Sequence, residues 1–232
     1  MSARARPRAA SALRRFDGDY AFAEAPERAA PDARIIWDAR LDPGTLSVAA
    51  VPTSGSDPDG IRVADLAPWL AVARDPDGRE HAVLSDGWHR IRLEVDSGSL
   101  IDSGSVLLRY RIAGTLGAEP KILPLRRLLH LCRYRCFSRS LFPEDRHMAR
   151  WVRALRVHDA LVDGASQRDI AIGLFGEDRV TDAWYGESDS LRLRVRRLTG
   201  LARRLAQGGY RTLMKRSPSC DSDSDGESDG DR

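Results

Sequence analysis

Near residue 118 the apolar positions of this chain stop alternating and begin to recur every third or fourth residue. A strand repeats every two residues and a helix every 3.6, so two kinds of structure must follow one another. Before the change, Ile91, Leu93 and Val95 alternate with Arg90, Arg92 and Glu94, and Val106, Leu108, Tyr110 and Ile112 share one face. Asp86-Gly87 separates 82–85 from 88–95 and is a strong hairpin signal. Ile35-Ile36-Trp37 and Leu46-Ser47-Val48 are earlier β-like clusters, followed by a Ser/Gly/Asp/Pro loop over 53–60. These segments predict a small antiparallel β-rich portion over 34–117, closing near Gly114 and Gly117.

After the change, Pro124 suits a first helical turn, and Leu125, Leu128, Leu129 and Cys132 form a stripe. A second helix is predicted over about 143–163, with Trp151, Ala154, Leu155, His158, Leu161 and Val162 inward and Gly164 ending it. Ser166 caps a short helix over 167–175, Asp169 stands in the capping-box position, and Gly176 stops it. The segment 177–187 reads as a loop holding Trp184 and Tyr185. A last helix runs from Ser188 or Ser190 to about 206, with Leu191, Val195, Leu198, Ala202 and Leu205 inward, and Gly208-Gly209 closes it. The fold class is α+β: the β-rich portion, then an all-helical, helix-turn-helix-like module over 118–216. Residues 1–33 read as a flexible Arg/Ala/Pro-rich arm with a short amphipathic piece around Leu13, Phe16 and Tyr20, and 217–232 as a disordered acidic tail.

Charge points the same way. The overall +3 conceals a net −3 over 1–120, +11 over 121–216 and −5 over 217–232. Such asymmetry implies a polyanionic partner. Apart from Lys121 and Lys215 the cations are arginines, whose forked guanidinium suits phosphates and base edges. No apolar run approaches the ~20 residues needed to span a bilayer, so no membrane partner is expected. The N-terminus lacks a secretory apolar core, and the three cysteines, Cys132, Cys136 and Cys220, fit a reducing cytoplasm better than a disulfide framework. His130, Cys132, Cys136 and His147 meet half of a zinc-site spacing, and reduced thiols are the preferred reading. No nucleophile elbow, P-loop, H-E-x-x-H or Rossmann glycine pattern occurs; neither catalysis nor a cofactor is expected.

The last helix carries the candidate site. Arg192 and Arg196 share a face that Arg203 extends, with Arg194 and Arg197 as weaker candidates; Gln167 and Arg168 open the short helix, and Ser188 and Ser190 open the last one. Ala171 beside Ile170 lets helices cross closely, as a helix-turn-helix requires. The link between the two helices is longer than in a minimal motif, and an arginine-rich solvated helix is the plainer alternative. Trp184 and Tyr185 could stack on bases but read better as core plugs, and Trp151 and His158 also read as core.

Several phrases occur in one order: Arg126-Arg127-Leu128-Leu129, Arg139-Ser140-Leu141-Phe142-Pro143, Gly164-Ala165-Ser166-Gln167-Arg168-Asp169-Ile170-Ala171, Leu174-Phe175-Gly176, Ser190-Leu191-Arg192 and Gly208-Gly209-Tyr210-Arg211. Over about 80–215 the chain resembles the bacterial RovC-like DNA-binding domain family, with Asp86-Gly87-Trp88-His89 as a lead-in. The cysteine pair and the acidic tail depart from that pattern. The resemblance implies a transcriptional regulator with a C-terminal helix-turn-helix-like module, in a group met on mobile elements and near secretion-system genes. Expected partners are double-stranded DNA, a second copy in a homodimer or higher homo-oligomer, and RNA polymerase or another regulator, in the cytoplasm at the nucleoid. The alternative is an adaptor or antiactivator that keeps the fold and docks on another regulator.

Overall fold

In a computed structural model, which describes residues 20–22, 28–29, 31–184 and 190–215, the alternating segments pair as a sheet. Leu13, Phe16, Tyr185, Ser188 and the tail 217–232 lie outside the described residues. The chain divides into two compact units, Met1–Pro143 and Glu144–Arg232. The first holds β1 (Tyr20–Phe22), β2 (Ile36–Trp37), β3 (Leu46–Pro52), β4 (Ile61–Arg62), α1 (Val63–Leu66), β5 (Leu70–Arg74), β6 (Glu80–Ser85), β7 (Arg90–Gly98), β8 (Ser105–Arg111) and α2 (Thr115–Tyr134). β1 and β2 form a separate antiparallel pair, so a strand stands within the stretch read as an arm.

The six-stranded sheet runs in the order β4-β8-β3-β7-β6-β5. The hairpin signal at Asp86-Gly87 joins β6 to β7, which pair antiparallel with Ser85 opposite Arg90. The remaining pairs are antiparallel except β3–β7, which is parallel and which the sequence reading did not contain. That pair shifts register after Val48, and Gly98 then lies opposite Ala50. A Cβ on Gly98, at φ +78°, would fall 1.8 Å from the Ala50 carbonyl oxygen, so only glycine fits there.

Both faces of the central strands are covered. Leu46, Val48, Leu84, Ile91, Leu93, Val95 and Val106 join Leu128 and Leu131 of α2 in the main core. On the opposite face Val83 meets Ile36 of β2. This second layer corrects one expectation: Arg92, read as part of a polar strand face, is only 6% exposed. Its Nε and Nη2 donate to the Trp37 carbonyl at 3.2 Å each, and Nη2 donates to His81 Nδ1 at 3.1 Å. His81 in turn donates from Nε2 to Asp75 Oδ2 at 3.2 Å. Burial pushes the Arg92 guanidinium down to about 10. Glu80 is likewise buried on the core side and satisfied, accepting from Leu100 N at 2.6 Å, Ser99 Oγ at 2.5 Å and Arg74 Nη2 at 2.7 Å.

α2 begins at Thr115, nine residues before the Pro124 taken as its first turn, and carries Pro120 and Pro124 inside it. Leu131 replaces Leu129 on the buried face, and Leu129 is exposed. α2 falls largely within the range 118–216 expected of the helical module. Its buried leucines belong to the core of the sheet.

Candidate nucleic-acid interface

The second unit is built from α3 (Met148–Val162), α4 (Gln167–Phe175), α5 (Glu177–Ala183), α6 (Ser190–Arg204), a π turn over Leu205–Gly209 and α7 (Tyr210–Lys215). Its core gathers Val157, Ile170, Ala171, Val180, Leu191, Val195 and Ala202. Ala171 is fully buried, as a close crossing of helices needs. The α4 cap forms as read: Ser166 Oγ accepts from Asp169 N at 3.2 Å, and Ser166 N donates to Asp169 Oδ2 at 2.9 Å. Hydrogen bonds from Ser166 hold the Asp169 carboxyl below its ordinary range.

Three expectations change here. Residues 177–183, read as loop, form α5, whose Val180 is fully buried; Trp184 packs against the same core. On α3 the buried residues are Ala154 and Val157, and Leu161 packs against the same core. Leu155 and Val162, expected inward, are 61% and 72% exposed, while Trp151 and His158 are half-buried. With Met148 and Val152 they form an outward apolar stripe at the 4-3 spacing of one helical face.

α6 buries Leu191, Val195, Thr199, Leu201 and Ala202 and exposes every arginine it carries. On a 3.6-residue turn, Arg192, Arg196 and Arg203 fall in one row and Arg197 and Arg204 in a second, about 100° away. Between the rows stand Leu193 and Gly200, both exposed, a strip absent from the sequence reading although a helical wheel contains it. Arg194 lies toward α4, its guanidinium 5.8 Å from the Phe175 ring centroid. Ser190, the first residue of α6, is exposed, as is Gln167 at the start of α4. Arg168 is half-buried, and its Nε has no hydrogen-bond partner among the described residues.

Residues 190–215 contain seven arginines, one lysine and no carboxylate, whereas 148–183 carry five arginines and six carboxylates. The cationic field of the unit is therefore concentrated on α6 and α7, and α5 opens with Glu177 and Asp178. The bend between α6 and α7 requires glycine twice. Gly208 has φ +102°, and a Cβ on Gly209 would lie 2.7 Å from the Arg204 carbonyl oxygen.

Cys132 is largely buried, which pushes its thiol up to about 11, and Cys136 Sγ lies 3.8 Å from His130 Nε2. His147 belongs to the second unit. No group of three or more candidate ligands gathers among the described residues.

Residues 113–215 are similar to a family of DNA-binding transcription-factor domains. There the chain matches the family model RovC_DNA-bd, described as "T6SS, Transcription factor, DNA binding domain", the family its motifs resemble. The match starts just before α2 and ends with α7, so it draws on both compact units. No curated protein matches the chain. Among the described residues, no helix is long and apolar enough to cross a membrane.

Proposed function

We propose that the chain is a bacterial cytoplasmic transcriptional regulator that lays α6 in the major groove of duplex DNA. The observation that carries this is the pair of arginine rows on α6, with Leu193 and Gly200 between them. A groove presents a phosphate backbone on each side and base edges at its floor. Arg192, Arg196 and Arg203 would neutralise one backbone and Arg197 the other, together with Arg204. Arg194, drawn toward Phe175, contributes least. Ser190 and Ser188 enter at the start of the helix, where hydroxyls reach bases or phosphates. Gln167 and Arg168 act from the start of α4, which supports α6 in a helix-turn-helix-like arrangement with α5 inserted in the link. The family description ties such domains to T6SS transcription, so secretion-system promoters are the first targets to test.

The outward stripe of α3 supports self-association. Arg156 borders its middle turn, and Asp159 and Asp163 its C-terminal end. A second copy packed antiparallel on this stripe would give the twofold dimer that reads two half-sites. The same stripe favours the second reading, an adaptor that docks on another regulator or on RNA polymerase. A genomic-fragment binding assay with the wild type and an Arg192→Ala/Arg196→Ala variant separates the two. Salt-sensitive binding that weakens in the variant supports the regulator. Absence of DNA binding in both proteins, with a protein partner retained through α3, supports the adaptor.

A further inference from the structure

We propose that the acidic segment 217–232 binds back on the α6–α7 surface and must be displaced before DNA can occupy it. This rests on reading that surface as the DNA-binding face. The segment has six side-chain carboxylates and one arginine, and it follows directly on a stretch, 190–216, of nine cations without a carboxylate. In α3–α5 the charges of both signs are interspersed, so a tethered polyanion finds its complement on α6 and α7.

Spacing and reach agree with charge. Acidic residues stand at every second position from Asp221 to Asp231. In an extended chain that is one carboxylate every ~6.6 Å. Arg192 and Arg196, four residues apart on α6, are offset by ~6 Å along its axis. Asp221 is six residues beyond the end of α7 and Asp231 sixteen. Those lengths reach at most ~21 Å and ~56 Å. The fifteen residues of α6 span ~22 Å, so the carboxylates can lie along its whole length. Attachment to α7 places them at an effective concentration on the order of millimolar. Occupation is therefore intramolecular, weak for each pair and sensitive to salt.

Cys220 gives a probe at the head of the segment. With Cys132→Ala and Cys136→Ala in place, a nitroxide on Cys220 should broaden the amide resonances of 192–204 at about 0.05 M salt. The broadening should disappear at about 0.5 M and on addition of a random-sequence duplex. In parallel, replacing the six carboxylates by Asn or Gln should raise affinity for that duplex about tenfold at low salt and under about twofold at high salt. Normal resonances at 192–204 in low salt would overturn the proposal, whatever the duplex affinity. Broadening relieved by salt in a protein that binds no duplex would instead overturn the DNA-binding reading and leave the intramolecular contact standing.

Discussion

At Ser166 one hydroxyl decides whether α4 starts where its sequence says it should. The side chain closes a reciprocal cap with Asp169, and caps of this type contribute about 1 kcal/mol. Ser166→Ala should therefore lower the stability of the second unit by about that amount in urea unfolding. An unchanged midpoint and slope would mean that packing alone sets the helix. The same bonds favour the charged carboxylate, so the folded-state pKa of Asp169 lies below its unfolded value. Its contribution is complete above the unfolded value of about 4 and fades as pH falls through the folded one. Asp169→Asn should flatten that acid limb. In the first unit, Arg92 is a buried cation held by Trp37 and His81. Arg92→Ala strands those acceptors and should cost about 2–4 kcal/mol in thermal unfolding. A loss below half of that would show that water replaces the guanidinium.

The helices show where sequence periodicity stops deciding. α3 is apolar on two sides: Ala154, Val157 and Leu161 turn inward, and Met148, Val152, Leu155 and Val162 turn outward. A 3.6-residue period fits either stripe, and only packing against α6 selects one. α5 failed to register for the opposite reason. Its sequence, Glu-Asp-Arg-Val-Thr-Asp-Ala, offers the core one large apolar residue, Val180. The β6–β7 hairpin and the α4 cap were legible because turn and cap chemistry is local. The parallel β3–β7 pair and the burial of Arg92 were not, because both depend on residues more than forty positions away. At the site, Leu191, Val195 and Ala202 were legible as inward from spacing, whereas the burial of Thr199 and Leu201 and the Leu193–Gly200 strip became visible only once packing fixed the buried face. The outward stripe of α3 carries its own prediction. Leu155→Glu should leave folding intact, since the side chain is exposed, and should lower self-association by tenfold or more in sedimentation, about 1.4 kcal/mol. Equal association by both proteins would remove α3 from the interface.

Across the whole molecule, the net charge of +3 conceals how unevenly the charge is distributed. A sheet-rich unit near neutrality, a helical region with its cations gathered on α6 and α7, and an acidic segment behind them divide the electrostatic work. Residues 113–215 match a family model for DNA-binding transcription-factor domains, and DNA binding is here assigned to α6. Polyelectrolyte theory makes the assignment measurable, because each neutralised phosphate adds about 0.9 to the slope of log K against log salt. The decisive measurement is that slope for the wild type and the Arg192→Ala/Arg196→Ala variant on one duplex. Loss of two phosphate contacts should flatten it by about 1.8 and weaken binding at every salt concentration. Parallel lines of equal height would contradict the assignment of DNA binding to α6.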